Sequence, residues 1–253
     1  MSGIVESAEA VSTLPSFDRH AATYEASASV QAWLAEWLEE WVEPAWSRSA
    51  EVIEVGAGTG LFTRKLVTRG RVVALDRCTE MVARGREGVP EARWRVGDAL
   101  DLTPVGWDRI YSSAVLQWMD DAEEGLRILG EAMRPGGRML HGLFVSPTLP
   151  ELAMLAPDAC PLVWRTAETW LEAASQAGLR VLRWEVRQFE SRHPDALAFM
   201  RTLHDTGVTP TVPKFGPGRL RAILQQYDAR NRVGGNGVRA TWTALRFEAE
   251  RFE

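Results

Sequence analysis

The sequence predicts an α/β fold: a doubly wound, mostly parallel sheet of seven strands, covered by helices and carrying a helical lid. Three observations predict it. The 253 residues are 45% hydrophobic and 25% charged, with 21 Gly and 13 Pro, a globular composition. From Glu51 onward, short nonpolar runs alternate with amphipathic stretches, the pattern of crossover units that build a parallel sheet. A glycine-rich turn, Gly56-Ala57-Gly58-Thr59-Gly60, directly follows the first run, at the end of a strand where such sheets bind ligands.

Each element follows from its residues. In 28–46, Trp33, Trp37 and Trp41 recur at i, i+4 and i+8, and Leu34 and Leu38 extend the stripe. That spacing predicts a helix with a packing face. Residues 51–55 (EVIEV) read as a strand, 60–69 as a helix, 71–75 (RVVAL) as a strand and 79–87 as a helix. Strands follow at 92–96 and 108–113, then a helix at 120–133 ended by Pro135-Gly136-Gly137, then a strand at 138–144. The stretch 147–165 reads as irregular, 166–177 as a helix and 180–189 as a strand. Residues 194–235 are rich in Gly and Pro, and 238–250 alternate as a long final strand. No internal repeat or low-complexity linker interrupts the chain. The expectation is one domain over 1–253, with its core at about 50–146, 166–190 and 238–253. Segments 1–27, 147–165 and 191–235 fall outside that core and are expected to form a lid and substrate segments over the carboxyl ends of the strands.

Composition excludes several classes. The net charge of -5 argues against nucleic acid as a partner. No run of 18 nonpolar residues exists, so no membrane partner is expected. The start, MSGIVESAEA, lacks the basic and nonpolar parts of a signal peptide, so a reducing, cytoplasmic setting is expected, and a monomer. Cys78 and Cys160 make neither a disulfide framework nor a metal site, and the four histidines add no ligand cluster, so no metal is expected. Of 29 basic residues only Lys65 and Lys214 are Lys, a skew read as background composition. Charge is uneven along the chain. Residues 1–50 carry 2 basic and 8 acidic groups, residues 51–178 carry 14 and 18, and residues 179–253 carry 13 and 8, so the last third is locally +5. That basic third suits an acidic partner or substrate.

Glycine at 56 and 58 permits a tight turn and close approach of a ligand to the backbone. Asp76, at the end of the second strand, can accept hydrogen bonds from ribose hydroxyls. A dinucleotide loop needs Gly at 61, where Leu61 stands, and no phosphate-binding G-x-x-x-x-G-K-[ST] is present. The G-x-G-x-G spacing resembles motif I of the class I S-adenosylmethionine-dependent methyltransferases, a Rossmann-like family. Gly97-Asp98-Ala99 after the third strand and Arg134-Pro135-Gly136-Gly137 before the fifth agree in order and spacing. The resemblance implies S-adenosylmethionine as cofactor and S-adenosylhomocysteine as its product. It places Glu54 and Gly56 by the methionine part, Asp76 at the ribose and Asp98 at the adenine. Ala57, Gly58, Gly60, Ala99 and Ser113 complete the expected cofactor set.

The segments outside the core carry a narrower resemblance, to the malonyl-acyl carrier protein O-methyltransferases of biotin synthesis, the BioC family. Ser16-Phe17-Asp18-Arg19-His20-Ala21-Ala22-Thr23-Tyr24-Glu25 is similar to its F-x-x-x-A-x-x-Y start. Ser113-Ala114-Val115-Leu116-Gln117-Trp118 is similar to its N-x-x-x-Q-W, and Leu149-Pro150-Glu151-Leu152 to its S-L-P-E-L. Arg201 to Val208 resembles its L-K-x-x-G segment. Three positions depart: His204 for Lys, Thr59 for Pro and Ser113 for Asn. The Gln-Trp motif also occurs in trans-aconitate methyltransferases. A carboxylate is ionised at neutral pH and needs no general base, so alignment and exclusion of water are the main tasks. Arg201 is the candidate fork for a substrate carboxylate, with His204 and Tyr24 as further substrate residues. Tyr24, Trp118 and Gln117 are the candidate catalytic residues, and His20 is a weaker one. An acyl carrier protein bearing the malonyl thioester would be a small acidic partner, and Arg219, Arg221, Arg230 and Arg232 are candidate docking residues. The alternatives are methylation of a free acid such as trans-aconitate, methylation of another small molecule, and a non-catalytic cofactor-binding protein.

Overall fold

The computed structural model describes residues 17–103, 106–208, 215–235 and 237–252. Ser16 of the N-terminal motif, Lys214, residues 1–16 and the 209–214 stretch of the expected lid lie outside the described residues. The chain begins with α1 (Phe17–His20), α2 (Tyr24–Ser27) and α3 (Ser29–Glu39). The alternating unit follows as β1 (Val52–Val55), α4 (Thr63–Leu66), β2 (Val73–Asp76), α5 (Thr79–Gly88), β3 (Arg93–Val96), β4 (Trp107–Ser113), α6 (Ala122–Ala132) and β5 (Met133–Phe144). It ends with α7 (Pro150–Leu155), α8 (Ala167–Gln176), β6 (Leu179–His193), α9 (Ala196–Asp205), α10 (Pro217–Arg230) and β7 (Val238–Arg251).

The seven strands form one sheet in the order β3-β2-β1-β4-β5-β7-β6. β1 to β5 pair in parallel, and β7 is antiparallel to both β5 and β6. The order reverses between β1 and β4, so a crevice opens beyond their carboxyl ends. Both faces are covered. On one, Leu34, Trp37 and Leu38 of α3 join Phe199 of α9 and Tyr227 of α10 against Phe144 and Trp242. On the other, Leu126 and Leu129 of α6 and Trp170 of α8 meet Ile110, Leu143 and Leu245. Adjacent Leu143 and Phe144 thus serve opposite cores, as a strand's alternation requires.

Several boundaries differ from the sequence reading. The helix expected over 28–46 stops at Glu39. The one expected over 60–69 is α-helical only at Thr63–Leu66, because Lys65 N and Arg69 N bond carbonyls three residues back, Phe62 O and Leu66 O, and close tight turns. Pro135-Gly136-Gly137 does not precede the fifth strand but forms an irregularity within β5, where the register to β4 slips between Trp107 and Arg109. Gly136 takes φ 72° there. The 194–235 stretch holds two helices. Asp195 Oδ1 caps α9 by accepting from Ala198 N at 2.7 Å, and Pro217 starts α10. Among its described residues, Pro194, Gly207 and Gly216 stand at the ends of these helices.

The Trp stripe packs inward as expected, and it also encloses a cation. Arg246 of β7 is 3% exposed. Its guanidinium lies 4.5 Å from the Trp37 ring and 4.2 Å from the Trp41 ring. It donates to Glu185 and Glu40, and to the Trp37 carbonyl. The +5 of the last third is therefore not a free basic surface. Arg180 pairs with Glu250, Arg183 with Glu248, Arg239 with Glu151 and Arg219 with Asp158. Arg201, Arg221, Arg230 and Arg232 form no ion pair among the described residues.

Candidate active site

A cavity of about 360 Å³ opens at the β1–β4 switch point, within the usual range for a small-molecule site. Its wall draws on the ends of four successive strands. Gly56 and Gly58 follow β1, Asp76 ends β2, Gly97-Asp98-Ala99 follow β3, and Ser113-Ala114-Val115 end β4. Gly56 has φ 66°, and an added Cβ would overlap the Val115 methyl groups. Only glycine lets the turn pass so close to the β4 end. Gly58, at φ 56°, meets no atom within 4 Å of its missing Cβ, because it faces the open cavity.

The carboxylates are held in place by backbone donors. Asp76 accepts from Gly58 N at 2.8 Å through Oδ2 and from Cys78 N at 2.9 Å through Oδ1. Asp98 accepts from Leu100 N at 2.9 Å. Met81, Leu100, Val115 and Met119 supply apolar wall between and beyond them. Carboxylates for hydroxyl and amino groups, apolar sides for a ring and a bare backbone turn together fit an adenosyl cofactor.

A smaller cavity of about 30 Å³ adjoins the turn, lined by Tyr24, Gln31, Glu54, Gly56, Ala57, Gly58 and Ser113 among others. Glu54 is buried and accepts from Thr63 Oγ1 at 2.5 Å. Burial first, and the charge of Asp76 beside it, push its carboxyl up to about 8 against the lowering effect of Thr63. Tyr24 lines both cavities. Burial, with the negative charges of Asp76 and Glu25, raises its phenol, so it stays protonated and can only donate to an anion. The N-terminal segment is seated by Phe17, whose ring meets Trp118 edge to face at 5.5 Å. Gly207 (φ 71°) allows this docking, since a Cβ there would stand 3.1 Å from Phe17 Cα.

The structure gathers Gly56, Gly58, Asp76, Asp98, Ala99, Ser113, Tyr24 and Trp118 at the main cavity, and Glu54 and Ala57 at the small one. It separates others. Gly60 (φ 98°) is outside both walls, and its missing Cβ faces Val89 and Trp94, so its glycine serves packing. The Ala57 N–H is spent on Leu75 O. Gln117 is buried outside both walls, and its Oε1 has no hydrogen-bond partner among the described residues. Arg201 and His204 stand exposed on α9, outside both cavity walls. Of the three expected lid segments, only 1–27 contributes to the walls among the described residues, through Phe17 and Tyr24. The sequence reading missed Gln31, Arg77, Met81 and Met119 as wall residues. Arg77 had a signal, its place directly after Asp76; the apolar ones had none that distinguished them from core. The histidines are not all scattered: His20, His204 and Asp205 place ligand atoms within 4.8 Å of one another.

A family model described as a methyltransferase domain matches residues 52–137. A malonyl-[acyl-carrier protein] O-methyltransferase of Hahella chejuensis is 30% identical over 90% of this chain and 85% of its own length. The biotin biosynthesis bifunctional protein BioHC of Cellvibrio japonicus is 32% identical over 84% of this chain, which spans only 45% of that longer protein. A trans-aconitate 2-methyltransferase of Variovorax paradoxus is 27% identical over 72% of this chain and 77% of its own. Among solved structures, a Bacillus halodurans C-125 protein assigned as a methyltransferase superposes with a TM-score of 0.66 at 11% identity, covering 87% of this chain and 99% of that one. Among the described residues no helix is long and apolar enough to cross a membrane.

Proposed function

From the premise that the chain belongs to the class I S-adenosylmethionine-dependent methyltransferases, we propose that it methylates the free carboxylate of a malonyl thioester carried on acyl carrier protein, a step of biotin synthesis. When bound, the cofactor supplies an electrophilic methyl group on a sulfonium. Glu54, Gly56 and Gly58 would hold its methionine part, Asp76 the ribose and Asp98 the adenine.

One observation carries the choice of a carboxylate. The aromatic patch of the wall, Phe17, Tyr24 and Trp118, offers a phenol held protonated, while Asp120, Asp121 and Glu124 line the cavity beside it. Such a phenol donates to an anion and removes no proton. A carboxylate already lacks its proton at neutral pH, so Tyr24 has only to orient it while Phe17 and Trp118 exclude water. The malonyl relative aligns over more of the chain than the trans-aconitate relative, which favours the thioester. Arg221, Arg230 and Arg232 are exposed cations that form no ion pair among the described residues and suit a small acidic carrier.

The test is methyl transfer from labelled cofactor to malonyl-carrier protein, malonyl-coenzyme A and trans-aconitate in parallel. The thioesters should be labelled. Transfer to trans-aconitate alone would replace this reading with the free-acid one.

A further inference from the structure

The structure brings two histidines from opposite ends of the sequence to one place. We propose that His20, His204 and Asp205 form a binding site for a zinc-class divalent cation that clamps the N-terminal segment onto α9. The donor set is two imidazoles and one carboxylate, and the three ligand atoms lie within 4.8 Å of one another. Points so close fit inside a circle of radius about 2.8 Å, so closing on a cation at roughly 2.0–2.2 Å needs shifts of only about 0.6–0.8 Å each.

The backbone is already arranged for this. The Thr23 hydroxyl bridges the two ligand-bearing segments, 3.2 Å from the His20 carbonyl and 3.1 Å from the Asp205 carbonyl. The imidazole rings stand edge to face with centroids 4.6 Å apart. His204 is exposed, so a fourth position can hold water. A lysine at 204, usual in the resembled family, would not complete the set. His20 lies between Phe17 and Tyr24, which both line the cavity. A cation here would therefore fix the aromatic wall by joining its segment to α9. This holds whichever acid is methylated.

The full chain, stripped by a chelator, is titrated with Zn²⁺ by calorimetry and with Co²⁺ by absorbance. One cation per chain should bind, with cobalt d–d bands of a nitrogen and oxygen set and no thiolate charge-transfer band. Zinc should protect the 17–27 segment from limited proteolysis. His204→Lys and Asp205→Asn, each checked for folding by circular dichroism, should weaken binding by at least about ten-fold and abolish protection, since losing a ligand costs no less than losing its outer-shell support. Failure to bind micromolar cation, unchanged affinity in both variants, or a thiolate band implicating Cys78 or Cys160 would each overturn the proposal.

Discussion

Replacing Glu54 by Gln should change how stability depends on pH. Glu54 ends β1, is 1% exposed, and has its carboxyl pushed up to about 8 from an ordinary 4.5 by burial and by Asp76. A carboxyl raised in the folded state contributes stability that is complete below the unfolded value and is lost as pH rises through the folded one. The full shift corresponds to roughly 5 kcal/mol, and about 2–3 kcal/mol of that should disappear between pH 5 and pH 7. Gln keeps an oxygen for the Thr63 hydroxyl but has nothing to titrate. Urea unfolding of the wild type and Glu54→Gln at several pH values should therefore give a stability difference that favours the variant progressively as pH rises. Parallel curves from pH 5 to pH 7 would refute the assignment of a buried, protonated Glu54. The same protonation predicts that a cation bound in the small cavity expels a proton at neutral pH. Calorimetry of cofactor binding in two buffers of different ionisation enthalpy should show that release in the wild type and not in Glu54→Gln.

Three further outcomes follow from the geometry. Gly56→Ala should lose about 1–3 kcal/mol through positive φ and overlap with Val115, whereas Gly58→Ala shares the positive-φ strain without the overlap, so it should lose less stability while still impairing cofactor binding; calorimetry and melting curves separate the two. Arg246→Ala should cost roughly 1–3 kcal/mol in urea unfolding, because the charged hydrogen bonds to Glu185 and Glu40 and the packing between Trp37 and Trp41 are lost while the exposed carboxylates rehydrate; Arg246→Met, which refills the space between Trp37 and Trp41, should recover part of it. Tyr24→Phe should lower kcat/KM about ten-fold or more, the loss of one hydrogen bond to a charged group, while leaving cofactor affinity unchanged by calorimetry.

Much of the core was legible because its signals are local. Alternation of short runs pointed to the parallel half of the sheet, and Gly56, Gly58, Asp76 and Asp98 stood out as candidates because each lies at the end of a strand. Gly60 lies outside both cavity walls, and its glycine has a packing reason. Positive φ and close packing against Val89 and Trp94 demand glycine as firmly as a ligand does. Arg201 and His204 were chosen by resemblance, but helix α9 turns them to solvent. The meeting of His20 with Asp205 and His204 was invisible, since it depends on how α1 docks against the end of α9 at Gly207.

The charge of the last third divides into two populations with different consequences. Arg180 and Arg183 lie on the edge strand β6 and pair across to Glu250 and Glu248 of β7, and Arg183 also covers the Trp41 ring at 4.2 Å. Arg221 and Arg230, on α10, have no such partners among the described residues. A carrier protein attracted by net charge alone would respond equally to reversal at either pair of positions. A carrier docking on α10 would not. Arg221→Glu with Arg230→Glu should raise KM for malonyl-carrier protein and leave malonyl-coenzyme A almost unaffected. Arg180→Glu with Arg183→Glu places like charges opposite Glu250 and Glu248 and should lower the melting temperature instead. Equal losses on carrier protein from both double variants would mean that the helix is not the docking surface.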